Sequence, residues 1–303
     1  MVRIADAHCD FLSFCVIKDD NARLYDHVDL SRLIIGGVAL QVFAVWTPPD
    51  SANRMRLSFS QIDFLDNFAA GSEGIVRLCT EKRRLRDNRN ISAILAIEGG
   101  SCIECGINAI RSVYERGARI MSLTWNEEND FAFGCGHKSG GVKQKGLEAI
   151  ELLNSLNIAL DLSHINERGF YDALEAYKRA PCATHSCAYS LCKSPRNLKD
   201  EQITAIINKN GFIGINFYNA FLGGDIVTVN SILEHIEHVL CLGGKDAVGF
   251  GSDFCGVTET PKGLKSAADF QIIPETMARR GYTDELINKI CYGNFASYIL
   301  QFL

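Results

Sequence analysis

Eight short apolar runs, separated by stripes of helical spacing, set the rhythm of this chain. Residues 2–7, 38–45, 92–97, 118–123, 158–163, 182–184, 212–216 and 247–252 are rich in apolar side chains, the pattern of parallel strands buried on both faces. Between most of them, apolar positions recur at i, i+3, i+4 and i+7. Ile107, Ile110, Val113 and Tyr114 follow the third run, and Phe170, Ala173, Leu174 and Tyr177 follow the fifth. Ile203, Ile206 and Ile207 follow the sixth and stop at Gly211, which suits a left-handed cap. Val229, Ile232, Leu233, Ile236, Val239 and Leu240 form the longest stripe. Strand and helix alternating over ~250 residues predict an α/β fold of the (β/α)8 TIM-barrel type, with its active site at the carboxyl ends of the strands.

Five of the runs end in a residue able to hold a metal. The first leads into His8-Cys9-Asp10, where strand alternation turns His8 and Asp10 one way and Cys9 the other. The others end at Glu98, His164, His185 and Asp253. One such residue alone reads as a hydrogen-bonded core group. Five at equivalent ends of a barrel point instead to a cluster, and imidazole with carboxylate suits zinc or another divalent first-row metal.

Composition narrows the class. With 303 residues, 47% of them hydrophobic, and no Pro/Gly/Ser linker or repeat, the chain reads as one barrel domain over residues 1–303. A net charge of −5 without a basic stripe argues against nucleic acid as a partner. No apolar stretch approaches ~20 residues and no leader precedes the first strand, so a cytoplasmic chain without a membrane partner is expected. The cysteines are then expected to be reduced, and Cys102-x-x-Cys105, lacking a second pair, reads as structural or exposed. His235 and His238 lie off their helix's apolar stripe, so a solvated face is expected for both. Residues 126–146, long and glycine-rich, read as a lid, with 46–56 and 217–227 framing the same mouth.

Taken in order, Asp6-Ala7-His8-Cys9-Asp10, Ala96-Ile97-Glu98-Gly99-Gly100, Asp161-Leu162-Ser163-His164, Thr184-His185-Ser186, Arg196-Asn197-Leu198, Asn216-Phe217-Tyr218 and Gly249-Phe250-Gly251-Ser252-Asp253-Phe254 resemble the membrane (renal) dipeptidases of the amidohydrolase superfamily. The resemblance spans nearly the whole chain. It implies a binuclear barrel hydrolase with two divalent metal ions, zinc foremost, acting on a small dipeptide, including those with a D-residue on the carboxyl side. His8 and Asp10 are then similar to ligands of one metal, His164 and His185 to ligands of the other, and Glu98 to the bridging carboxylate, which also serves catalysis. Arg196 resembles the arginine that holds the substrate carboxylate, and Asp253 the aspartate that moves protons and meets the substrate amine. Tyr218 and Phe221 fall in the implied substrate pocket. A homodimer is compatible with this reading.

Two cations ~3.5–4 Å apart can lower the pKa of a shared water toward neutrality and polarise the scissile carbonyl. The planar fork of Arg196 matches a free carboxylate, which favours a dipeptide over an internal peptide bond. The chain departs from the family at two places. Leu123-Thr124-Trp125 stands where Leu-Thr-His is common, and Asp253-Phe254-Cys255-Gly256 where Asp-Phe-Asp-Gly is usual. Losing one oxyanion donor typically costs ~10²–10³ in rate. The indole N–H of Trp125 is either a substitute donor or only part of a pocket wall, and Asn126 or Asn129 could add an amide. Another amidohydrolase activity (on a lactam, lactone or N-acyl amino acid) and a non-catalytic, metal-retaining dipeptide binder are the competing readings.

Overall fold

The computed structural model describes residues 1–17, 27–85 and 90–303. Among these residues nine parallel strands form in chain order: β1 (Ile4–Asp6), β2 (Val38–Val45), β3 (Val76–Leu78), β4 (Ile91–Ile97), β5 (Ala118–Ser122), β6 (Ala159–Asp161), β7 (Cys182–Ala183), β8 (Phe212–Ile215) and β9 (Val248–Phe250). Each of the eight expected runs contains or overlaps a strand. β1 pairs with both β2 and β9, and β2 pairs with β4 from Leu40↔Ser92 to Val45↔Ile97, so eight strands close a barrel. The ninth, β3, stands outside it. It pairs with the first residues of β4, at Ile91–Ala93, while β5 takes up the same edge from Leu95 onward.

The strands are almost entirely buried because helices cover their outer faces. Helices Ile107–Glu115, Glu167–Ala176, Asp200–Asn208 and Val229–Cys241 follow β4, β6, β7 and β8, as their apolar spacing predicts, and Gln144–Leu156 follows β5. In the last of these, Val229, Ile232, Leu233, Ile236 and Val239 are buried. Two expectations about these helices need correction. The left-handed residue after Asp200–Asn208 is Asn210 (φ 55°), not Gly211. Gly211 is required for another reason, since a Cβ there would lie 2.4 Å from the Pro181 carbonyl oxygen. His235 is buried rather than solvated, for its ring finds two backbone partners inside the fold.

The segment expected to be a lid is stitched to the barrel. Phe131 and Ala132 are fully buried, Gly134 bridges to Ile165, and the Cys135 N–H donates to the His164 carbonyl at 2.7 Å. It forms a fixed wall. Cys102 and Cys105 are both buried, which resolves that pair as structural, and all twelve cysteines are free thiols. Among the described residues, no helix is long and apolar enough to cross a membrane.

Candidate active site

Each of the five strand-end groups lies one to three residues beyond its strand: Glu98 follows Ile97 directly, His8 and His185 follow by two, and His164 and Asp253 by three. His164 (φ 69°) and Asp253 (φ 61°) adopt left-handed backbone that L-residues avoid. Such conformations cost about 1–3 kcal/mol each and persist where neighbours over-determine them. Here they turn both side chains back over the barrel mouth.

The five groups and Asp10 converge on one centre. The Nε2 of His164 lies 2.8 Å from Glu98 Oε1, and that of His185 lies 3.5 Å from the same oxygen. Glu98 Oε2 instead faces His8 Nε2 at 3.6 Å, and His8 Nε2 is also 3.6 Å from Asp10 Oδ2 and 4.0 Å from Asp253 Oδ1. His8, Glu98 and His185 form one set of donor atoms within 4.8 Å of each other; His8, Asp10 and Asp253 form a second.

The donor chemistry fits cations. Three carboxylates, Asp10, Glu98 and Asp253, are buried together. Burial and the Glu98 charge raise the Asp10 carboxyl well above its ordinary range. Burial also pushes against ionised Glu98, but the His8 charge, with the His164 and His185 rings close by, outweighs it and holds Glu98 well below the usual range. His164 is pushed down to about 3, by burial and then by the Arg196 charge, and burial and the His8 charge lower His185 too. Neutral imidazoles are what metal ligation requires. The buried Nε2 of His8 has no hydrogen-bond partner.

Outer groups fix the tautomers. His164 Nδ1 lies 2.8 Å from Asn126 Oδ1, and His185 Nδ1 lies 2.8 Å from Thr184 Oγ1. Thr184 donates its own hydroxyl proton to Asp161. Both Nδ1 atoms therefore carry the proton and both Nε2 lone pairs face the centre, the arrangement that orients metal-ligating histidines. Asp253 Oδ2 accepts from Asn216 Nδ2 at 2.8 Å, leaving Oδ1 turned inward. The turn beyond it is pinned by His27, whose Nδ1 accepts the Cys255 N–H at 3.0 Å. Motif reading singled out Glu98 and the histidines but not the supporting roles of Asn126, Asp161 or His27, because hydrogen-bond support leaves no spacing signal.

A cavity of about 330 Å³ opens above the centre, walled by Trp46, Trp125, Arg196, Tyr218 and Phe221. Trp46 and Trp125 meet edge to face at 5.3 Å, and Trp125 lies 6.0 Å from the His164 ring. The Arg196 guanidinium sits 5.5 Å from the Phe221 ring centre, held by the His185 carbonyl at 3.1 Å and Ser186 Oγ at 3.3 Å, while its buried Nε is unpartnered. Tyr218 packs edge-on against Phe221. Asn129 does not reach this site, because its amide donates to Leu123 and its oxygen accepts from Phe131 and Ala132.

The family model of the membrane dipeptidases, peptidase family M19, matches residues 1–299. This chain belongs to that family. It is 28% identical to an uncharacterised dipeptidase of Schizosaccharomyces pombe, over 94% of this chain and 77% of the relative. A Klebsiella pneumoniae protein from the pqqA 5′ region is 31% identical over 78% of this chain and 93% of its own. In structure, the chain is similar to a Rhodobacter sphaeroides metallopeptidase liganded with a phosphinate mimic of L-Ala-D-Ala (25% identity, TM-score 0.91, 100% and 99% of the two chains). A zinc-bound amidohydrolase of Burkholderia multivorans shares the barrel at 12% identity and a TM-score of 0.52, over 89% of this chain and 86% of its own. Membership makes the protein a hydrolase of the metallo-dipeptidase type on an amidohydrolase barrel.

Proposed function

We propose that this chain is a binuclear metal-dependent dipeptidase that hydrolyses the single peptide bond of small dipeptides, including those with a D-residue on the carboxyl side. The observation that carries the reading is the two-sided contact of Glu98: Oε1 faces His164 and His185, and Oε2 faces His8. A carboxylate so placed can serve two cations at once, with His8 and Asp10 holding one and His164 and His185 the other. Zinc suits this nitrogen and oxygen donor set. When bound, the two cations supply a nucleophilic water at neutral pH and polarise the scissile carbonyl.

The chain's own residues supply the rest. Asp253 Oδ1, turned toward His8 while Asn216 holds Oδ2, is placed to take a proton and return it to the leaving amine. Burial opposes its charge, but His185 and His8 outweigh that and keep the carboxyl below its usual range, so it stays a base at neutral pH. Arg196, backed by Phe221, presents its guanidinium to the substrate carboxylate. Trp46 and Trp125 line the same cavity, whose volume suits a small substrate. The Rhodobacter relative's dipeptide mimic supports both the substrate size and the D-residue. Turnover by metal-reconstituted protein on a panel of L,L and L,D dipeptides, beside terminally blocked analogues, tests the reading, because only a dipeptidase requires both free termini.

A further inference from the structure

Helix Val229–Cys241 carries two histidines that touch neither the metal centre nor the cavity, and both grip the loop that presents Arg196. Buried His235 accepts the Ala188 N–H at Nδ1 (3.0 Å) and donates from Nε2 to the Leu222 carbonyl (3.0 Å). Ala188 is the root of that loop. It bridges in parallel to Leu198, with the Tyr189 N–H donating to the Leu198 carbonyl and the Leu198 N–H to the Cys187 carbonyl, both at 2.8 Å. Residues 189–197, Arg196 among them, are therefore a closed excursion fastened at its base.

Leu222 ends the short helix Asn219–Leu222, which carries Phe221, the ring beneath the guanidinium. Asn197 ties the same two elements together from the loop side, its Nδ2 donating to the Cys192 and Phe221 carbonyls at 2.8 Å each. His238 holds the outside of the loop through Asp200 Oδ1, which accepts from both His238 Nε2 (2.8 Å) and Ser190 Oγ (2.7 Å).

We propose that His235 is a positioning residue for recognition of the substrate carboxylate, fixing the Arg196 loop against the Phe221 wall through its two ring nitrogens. The inference rests on Arg196 being the carboxylate clamp. A neutral imidazole is the only form that offers one acceptor and one donor, and burial holds His235 below its ordinary pKa and so in that form. No apolar residue of similar size could span the same two backbone groups, and Ala188 would be left with a buried, unpaired N–H.

Competitive inhibition of the metal-loaded, full-length protein by a dipeptide phosphinate and by its C-terminal amide tests this. His235→Leu should raise Ki for the acid about tenfold, leave Ki for the amide unchanged, and keep kcat and metal content near native. His235→Gln, whose amide offers an acceptor and a donor on one carbon, should restore the native Ki. An equal rise for both inhibitors, or no rise, overturns the proposal. Arg196→Ala distinguishes the two levels: if it fails to weaken the acid selectively, the clamp reading falls. If it does weaken the acid selectively while His235→Leu does not, only this inference falls. Should His235→Leu not fold, His235→Phe, which keeps a flat ring without either nitrogen, carries the same criteria.

Discussion

The Nε2 atoms of His164 and His185 lie 2.8 Å apart, each with its proton committed on the far side of the ring, to Asn126 and Thr184 respectively. Arg196 Nη2, 3.1 Å from His164 Nε2, meets one of these lone pairs, and a cation held beside Glu98 would share both. Chelation should therefore abolish turnover and lower Tm while leaving the far-ultraviolet circular dichroism of the barrel intact. Ligand linkage sets the scale: a cation at a hundred times its Kd stabilises the fold by ~2.7 kcal/mol. A Tm indifferent to chelator and to added zinc would remove the metal from the account.

Asp253 and Arg196 should separate in steady-state kinetics. Asp253→Asn keeps shape and loses basicity, so kcat should fall about 10²–10⁴-fold with metal content unchanged. Arg196→Ala should mainly raise KM for dipeptides. Native kcat in Asp253→Asn would show that proton transfer runs elsewhere.

Trp125 stands where the family commonly has a histidine donor, and its ring packs against Trp46. If its indole N–H meets the developing oxyanion, Trp125→Phe should lower kcat by ~10–10³ without loss of metal. If Trp125 is only a wall, Trp125→Phe should be nearly silent and Trp125→Ala should shift KM. A gain in kcat on Trp125→His would identify a donor that the native site lacks.

Gly256 lies against two acids of the centre: a Cβ there would stand 2.1 Å from Asp10 Oδ2 and 2.7 Å from Asp253 Oδ1. Gly256→Ala should displace Asp10 and cost the metal proposed for His8 and Asp10, leaving the proposed His164–His185 position occupied. Metal analysis before and after dialysis reads this as about one equivalent lost.

Much of this was legible in the chain because two periodicities carry it. The apolar runs at 38–45 and 92–97 coincide closely with β2 and β4, which pair along six residues. The candidate ligands are visible because they sit just past strand ends in a fold that gathers those ends. Other features leave no such trace. β3 is three residues long and half polar in environment, and it exists because the lower edge of β4 is open beneath β5. His235 looked solvated because it lies outside the Ile232, Leu233, Ile236 and Val239 stripe, yet the backbone groups of Ala188 and Leu222 satisfy it. Long-range polar partners of this kind have no local periodicity to read. The supposed lid is likewise anchored by long-range contacts, the buried Phe131 and Ala132 and the Cys135 N–H on the His164 carbonyl, that its glycine-rich composition does not reveal.

The central claim is a two-metal dipeptidase, and titrating metal-free protein with zinc while following hydrolysis of an L,D dipeptide tests it most directly. The account expects turnover to rise until about two equivalents are bound and then to level off. Full turnover at one equivalent, or none at any loading, would contradict it.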